Sequence, residues 1–189
     1  MSSLAAGADG RARCAWAGSA PEYLAYHDDE WGRPLHGDDE MFERMSLEAF
    51  QSGLSWLIIL RKRAAFRAAF AGFSIASVAA FGPADVDRLL GDAGIVRNRA
   101  KITAVIANAQ VVAGIPDGVS NLLWSFAPVA PAPRPATIGD VPAVSPESAA
   151  MAKALKRLGV RFLGPTTAYA LMQATGLVDD HVDGCWRAD

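Results

Sequence analysis

Cysteine is scarce in this chain, which carries only Cys14 and Cys185 among its 189 residues. Two thiols so far apart in sequence do not make the disulfide framework of a small secreted domain. The first residues also lack the apolar stretch of a secretory signal peptide, and we interpret residues 1–13 as a disordered leader. These absences favour a protein of a reducing cytoplasm.

Long apolar runs are absent as well. The apolar stretch at residues 54–60 is ended by three consecutive basic residues and is far shorter than a transmembrane helix. We therefore expect no membrane partner. With 51% hydrophobic residues, a chain of 189 residues is long enough to bury the core of a single domain.

Positive charge is not in excess, because the formal net charge is −2 at pH 7. Proteins that bind nucleic acids usually carry a basic balance, so the average charge does not favour such a partner. Local clusters of basic residues could still bind nucleic acid, although each cluster alone is more typical of a solvated helix face. The three clusters are Arg61, Lys62, Arg63 and Arg67; Arg97, Arg99 and Lys101; and Lys153, Lys156, Arg157 and Arg161.

Alternating runs long enough for a sheet are missing, and apolar residues recur at helical spacing instead. We predict an all-α fold in which residues 14–37 are irregular and residues 127–146 form an extended, proline-rich connection. Asp38 or Asp39 is expected to cap the first long helix. The longer predicted helices cover about residues 40–51, 55–70, 99–112, 146–158 and 165–176.

The two cysteines each have a histidine at a spacing that suits a metal site. His181 and Cys185 are four residues apart, so they share one side of a helical turn, and His27 follows Cys14 by thirteen residues. Structural zinc takes four ligands, usually from cysteine and histidine. A zinc ion on all four would join the two ends of the chain. The alternative, a capping histidine and a buried thiol, stays open on spacing alone.

A turn between the last two predicted helices carries a glycine near each end. Gly159 and Gly164 allow a ligand to approach the backbone closely, and the helix that follows offers unpaired N–H groups. Such a turn can hold a DNA phosphate without many cationic side chains. The alternative is an ordinary corner between two helices, in which Gly159 is only a C-terminal cap.

Read in order, these features resemble a known family. The turn, the helix after it and the segment Val178-Asp179-Asp180-His181-Val182 resemble the helix-hairpin-helix DNA glycosylase superfamily. Motifs spread from about Arg13 to Cys185 are similar to those of the 3-methyladenine DNA glycosylase I family. They are Arg13-Cys14-Ala15-Trp16, Tyr26-His27-Asp28-Asp29-Glu30-Trp31-Gly32, Leu47-Glu48, Gly53-Leu54-Ser55-Trp56, Asp92-Ala93-Gly94-Ile95-Val96-Arg97 and Leu122-Leu123-Trp124-Ser125-Phe126.

The resemblance implies a helix-hairpin-helix glycosylase fold with a structural zinc ion on Cys14, His27, His181 and Cys185. All four positions around the metal are then taken by protein. We expect one helical domain over residues 14–189. Its parts are the zinc-joined termini (14–37 and 177–189), a helical pocket region (38–126), the proline-rich connection (127–146) and the helix-hairpin-helix (147–176).

The resemblance also implies an activity, the hydrolysis of the N-glycosidic bond of 3-methyladenine in duplex DNA. Chemistry on a base requires that it be flipped out of the stack into a pocket. Aromatic walls suit a flat cationic base, and a carboxylate hydrogen-bonds its amino edge. By resemblance, Glu48 recognises the base, and it is our first choice of catalytic-site residue. The expected aromatic residues, for which a purely core role is the alternative, are Trp16, Tyr23, Tyr26, Trp31 and Trp56.

Two turns are expected to contact DNA. Gly53-Leu54 corresponds to the wedge that the family inserts into the duplex, although a packed leucine at a helix start is nearly as good an interpretation. The second turn is the glycine-rich one between the last two helices. Its expected DNA-binding residues are Gly159, Phe162, Gly164 and Thr166.

Asp179 falls where the wider superfamily places a catalytic aspartate, but this branch does not depend on one. It either activates water or orients the metal-bound segment. The last predicted helix lacks the lysine nucleophile of bifunctional relatives, so we predict hydrolysis without strand cleavage. His36 has no predicted role.

The expected enzyme is a bacterial-type, cytoplasmic monomer that acts at the nucleoid, and its partner is double-stranded DNA with alkylated bases. Two rival functions are a zinc-stabilised DNA-binding module without catalysis and a small metallohydrolase that uses His27 or His181.

Overall fold

Helices dominate the architecture. A computed structural model describes residues 3–188, and this part of the chain contains nine α-helices and three short 3-10 helices. The coarse prediction of a helical fold is thus confirmed. No helix within these residues is long and apolar enough to cross a membrane. The α-helices are α1 (Pro21–Asp29), α2 (Asp38–Gln51), α3 (Trp56–Ala69), α4 (Ile75–Ala79), α5 (Pro83–Gly91), α6 (Arg99–Val112), α7 (Gly118–Trp124), α8 (Pro146–Leu158) and α9 (Pro165–Ala174).

The predicted disordered leader is wrong for residues 3–13, and residues 1 and 2 lie outside the described part. Strands β1 (Leu4–Ala6) and β2 (Ala12–Cys14) form an antiparallel hairpin in which Leu4 pairs with Cys14. The hairpin is held to the body by Arg13, whose guanidinium hydrogen-bonds Asp28. Local composition resembled a leader because the stabilising partners are distant in sequence.

The predicted irregular segment 14–37 is also partly wrong. It contains a 3-10 helix (Ala15–Ser19) and then α1, which begins at Pro21. Proline is favoured in the first turn, where its missing N–H costs no hydrogen bond, and Glu22 beside it suits the helix dipole. The aromatic residues of this segment are therefore carried by helical turns, which bury Tyr26 and His27.

Helix α2 is the central element, with every residue from 41 to 50 buried. It packs against α3, α6, α7 and α9. The prediction that Asp38 or Asp39 caps this helix is wrong, because α2 starts at Asp38 and its N-cap is Gly37. Asp38 instead accepts from the backbone N–H of Ser120 in α7, and Asp39 from that of Ile75 in α4, each at 2.8 Å. The two aspartates join three helices.

One of the basic residues predicted on a solvated face lies inside the fold. Lys101 is buried on α6, and its Nζ donates to the carbonyl oxygens of Phe50 and Ser52 at 2.9 and 2.5 Å. These carbonyls belong to the last turn of α2 and the residue after it, where backbone acceptors lack helical partners. A cation there satisfies them and suits the helix dipole.

Helices α8 and α9 pack against each other. The turn between them, residues 159–164, is called the helical hairpin turn below. Gly159 ends α8 in the left-handed conformation (φ 100°), and Ser145 caps its start, both as the sequence predicts. The proline-rich connection before α8 includes a 3-10 helix, Ile138–Asp140.

After α9 the chain turns back along the amino-terminal segment. Gly176 makes this possible, because a side chain there would come within 2.4 Å of the backbone at Arg33 and Pro34. The backbone N–H of Trp186 then donates to the carbonyl of Ala12 at 2.9 Å. The two ends of the described chain therefore lie side by side.

Candidate active site and metal centre

A pocket of about 340 Å³ opens beside the carboxyl-terminal turn of α2. Residues from the amino-terminal segment, α2, α3 and α9 form its walls, and the proline-rich connection adds one side chain. A single carboxyl group, that of Glu48, faces an otherwise largely aromatic lining. The lining residues are Trp16, Tyr23, Tyr26, Trp31, Glu48, Trp56, Ile138, Ala170 and Gln173.

The aromatic rings of the pocket support one another edge to face. Trp16 meets Tyr23 and Trp31 with ring centroids 5.7 and 5.1 Å apart. Tyr26 lies 5.5 Å from Trp56 at a tilted angle. Such contacts contribute about 0.5–1.5 kcal/mol each beyond area burial.

Glu48 is 4% exposed, and burial raises the pKa of its carboxyl from 4.5 to about 8. Arg44, one helical turn earlier, opposes this rise but does not outweigh it. Burial, and after it the charge of Glu48, raises the pKa of the Tyr26 hydroxyl. Glu48 is therefore largely protonated at neutral pH in the free pocket, and a cationic ligand would favour its ionised form.

Arg44 does not pair with Glu48 on a wet helix face, which was the alternative interpretation of Glu48. Its guanidinium hydrogen-bonds Glu30, which also accepts two bonds of 2.6 Å from Arg63. Burial would raise the pKa of Glu30, but the two arginines outweigh it and hold this pKa at about 2. Glu30 thus takes the positive charge that would otherwise neutralise Glu48.

Two thiols and one imidazole converge behind the pocket. The ligand atoms of Cys14, His27 and Cys185 all lie within 4.8 Å of one another, and the three residues are buried. The Sγ atom of Cys185 is 3.4 Å from Nε2 of His27. His181 packs beside His27 with ring centroids 4.9 Å apart, and its Nε2 is buried without a hydrogen-bond partner.

Both histidines have the orientation expected of metal ligands. Nδ1 of His27 lies 2.8 Å from a carboxylate oxygen of Asp28, and Nδ1 of His181 lies 2.6 Å from one of Asp179. A carboxylate on one ring nitrogen leaves the other free for a metal. Without a metal, burial raises the pKa of the Cys14 thiol to about 12. Two thiols and two imidazoles, one of which has a buried Nε2 without a hydrogen-bond partner, are a donor set that fits a tetrahedral zinc ion.

The cluster of cysteines and histidines shares a wall with the pocket. Trp31 packs edge to face on His181 with centroids 4.6 Å apart, and Trp16 does the same on His27 at 5.3 Å. Two rings of the pocket therefore pack directly on two residues of this cluster.

The two candidate roles of Asp179 differ in where its carboxylate must lie. Asp179 is not among the residues that line the pocket. Its oxygens accept from Nδ1 and the backbone N–H of His181, and from Arg134 at 3.0 Å. The neighbouring Asp180 also lies outside the lining, but it accepts from Gln173, a lining residue, at 2.7 Å.

The predicted wedge lies in the exposed turn between α2 and α3. Leu54 is 36% exposed, and Gly53 before it has a φ of 79°. Trp56, two residues later, lines the pocket, so this exposed turn adjoins it. Leu54 is therefore exposed rather than packed in the core.

The helical hairpin turn presents a second exposed apolar side chain. Phe162 is 41% exposed and has a φ of 60°, which is unusual for a residue other than glycine. Gly164 precedes α9, where Thr166 is exposed in the first turn. The backbone N–H groups at this helix start are suited to an anion.

A family model described as methyladenine glycosylase matches residues 16–188. The chain belongs to the methyladenine glycosylase family. DNA-3-methyladenine glycosylase 1 of Escherichia coli (strain K12) is 44% identical over 177 residues, which cover 92% of this chain and 95% of the relative. The family and the enzyme class predicted from the sequence are confirmed.

Solved structures of the family agree with the fold. A crystal structure of 3-methyladenine DNA glycosylase I matches with a TM-score of 0.88 and 42% identity, over 92% of this chain and 98% of that chain. A structure on 3-methyladenine recognition by the Staphylococcus aureus enzyme matches with a TM-score of 0.87 and 35% identity, over 92% and 95%.

In this methyladenine glycosylase, the six predicted pocket residues line one cavity. Of the four predicted metal ligands, Cys14, His27 and Cys185 bring their ligand atoms together, whereas His181 packs on His27 outside that group of three. Three lining residues, Ile138, Ala170 and Gln173, were not predicted from the sequence. Ile138 is an aliphatic residue in the proline-rich connection, and Ala170 and Gln173 lie on a face of α9 with mixed polarity, so neither pattern indicates a pocket. His36 stacks on Trp124 at 4.7 Å, away from the site.

The buried carboxyl of Glu48 predicts an unusual dependence of stability on pH. Because the pKa of Glu48 is raised in the folded state, its contribution to the free energy of unfolding is fully present below pH 4.5. That contribution is lost as the pH rises to about 8. The slope is about 1.4 kcal/mol per pH unit. The free energies of unfolding measured in urea should therefore diverge between pH 5 and 8, because that of the wild type falls relative to that of Glu48→Gln. Parallel curves would contradict a raised pKa.

Proposed function

We propose that this glycosylase hydrolyses the N-glycosidic bond of 3-methyladenine in duplex DNA and leaves an abasic site. The observation that carries the proposal is the buried carboxyl of Glu48 in an aromatic pocket. The names of relatives support it, since they describe DNA-3-methyladenine glycosylases and a structure of 3-methyladenine recognition.

Recognition of the damaged base rests on its charge. Methylation at N3 makes adenine in DNA a flat cation, which the rings of Trp16, Tyr26 and Trp56 attract through their faces. The same charge favours ionisation of Glu48, whose oxygens then accept from the amino edge of the base. Normal adenine is neutral, so it leaves Glu48 either protonated or buried as an uncompensated charge.

The chemical step needs little from the protein, because the base is already a good leaving group. When the bond breaks, its electron pair returns to the ring and the base leaves neutral. A water oxygen bonds to C1′ of the sugar, and its proton passes to solvent. Helix α9 carries no lysine that could replace water by forming a Schiff base, so the DNA strand stays intact.

Access to the base requires extrusion from the duplex. The exposed Leu54 is proposed to fill the gap that the flipped nucleotide leaves, as apolar wedges do in other DNA complexes. The helical hairpin turn is proposed to hold a backbone phosphate through Gly159, Phe162, Gly164 and Thr166, with the N–H groups of α9 as donors. Backbone donors would explain how a chain of net charge −2 binds DNA.

The metal centre is proposed to hold one structural zinc ion on Cys14, His27, His181 and Cys185. With four protein ligands the ion has no open position for water, so its contribution is to the fold. It would fix the two rings of the pocket that pack on the histidines. Asp179 would then orient His181 through the contact between its carboxylate and Nδ1 of the imidazole.

Release of free base from methylated duplex DNA tests the activity. The wild type should release 3-methyladenine, and Glu48→Gln should release it roughly 100-fold more slowly, since a buried ionised partner of the cation is lost. Glu40→Gln, in the exposed first turn of α2, is the matched control and should keep the wild-type rate. A folded wild type that releases no base would leave only a DNA-binding module.

Metal analysis separates the two roles of Asp179. The purified wild type should contain one zinc ion per chain, Cys185→Ser should lose it, and His36→Ala should keep it. If Asp179 orients His181, Asp179→Asn should weaken zinc affinity roughly 10- to 100-fold and release base normally once zinc is replenished. A zinc-replete Asp179→Asn protein with strongly reduced base release would instead make Asp179 the residue that activates water.

A further inference from the structure

Helix α6 reaches both turns that are proposed to grip DNA, although it lines neither the pocket nor an exposed part of those turns. Lys101 and Asn108 lie seven residues apart on α6, which places their side chains on the same side of the helix. They are separated by about 10 Å along its axis. Both are buried, at 8% and 2% exposed, and each holds the backbone of a different turn.

Lys101 holds the wedge turn. Its Nζ donates to the carbonyl oxygens of Phe50 and Ser52, the latter directly before Gly53-Leu54. The side chain of Gln51 adds one bond of 3.3 Å across the turn to the carbonyl of Leu54. A cation in this position fixes where α2 ends and therefore where Leu54 projects.

Asn108 holds the helical hairpin turn. Its Oδ1 accepts from the backbone N–H of Arg161 at 2.8 Å, and its Nδ2 donates to the carbonyl oxygen of the same residue at 3.1 Å. The next residue is Phe162, with its positive φ. One buried amide thus satisfies both backbone groups of a residue 53 positions away. It fixes the turn in a conformation that its sequence alone does not favour.

We propose that Lys101 and Asn108 are positioning residues that set the separation of the wedge turn and the helical hairpin turn on the DNA. The inference rests on the proposed function, because it assumes that both turns engage one duplex during base extrusion. A phosphate grip and an inserted side chain cooperate only at a fixed distance. Helix α6, packed in the core between them, provides that distance through two side chains that touch no DNA.

Lys101→Met and Asn108→Leu remove these bonds while keeping similar side-chain volume. Each should lower base release from methylated duplex DNA roughly 10- to 100-fold, as small misplacements of reacting partners do. Release from the same DNA after strand separation should fall much less, because no partner strand has to be displaced. Binding of free 3-methyladenine, followed by tryptophan fluorescence, should stay within about twofold, because the pocket is unchanged.

Two controls complete the design. Gln110→Leu removes a comparable bond, to the carbonyl of Ala79, from the exposed side of α6, and should keep the wild-type ratio of duplex to single-strand release. Lys101→Arg keeps the charge and should recover part of the duplex rate.

The inference is overturned if the variants lose duplex and single-strand release equally, or lose free-base binding as well, since α6 would then only support the core. A wild type that releases no base from any methylated DNA would instead refute the proposed function.

Discussion

The site depends on one costly burial, that of the Glu48 carboxyl in an apolar region of α2. An ionised carboxylate there would need a partner, and the nearest guanidinium, that of Arg44, is already bound by Glu30. The carboxyl therefore stays protonated until a cation arrives. Under the proposed function, selectivity for a charged base follows from this arrangement, because the cationic ligand supplies the compensating charge that the protein does not.

The pocket and the joined termini form one structural unit. Trp16 and Trp31 contribute rings to the pocket on one side and pack on His27 and His181 on the other. The same segment is tied to α1 by the bonds between Arg13 and Asp28, and Asp28 in turn orients His27. Residues 3–188 contain no long strand and no disulfide. The contacts above hold both ends of this part of the chain beside the pocket.

Sequence could predict the parts whose signal is local. The capping Ser145, the C-terminal Gly159 and the periodic apolar residues of α6 specify their helices directly, and the pocket and metal residues followed from motifs. The failures share one cause, since each concerns a partner distant in sequence. The hairpin of residues 4–14 is held by Asp28. Asp38 and Asp39 accept from the backbone of helices other than their own. Lys101 is buried because α2 ends beside it.

The most direct test of the account is the protonation state of Glu48, followed by NMR of its carboxyl carbon during a pH titration. In the free protein the midpoint should lie near 8. At pH 7, saturating 3,9-dimethyladenine, which keeps the fixed positive charge of the base in DNA, should move the signal to that of an ionised carboxylate, and the same concentration of neutral 9-methyladenine should not. A midpoint near 4.5 in the free protein, or a signal that does not respond to 3,9-dimethyladenine, would contradict the account.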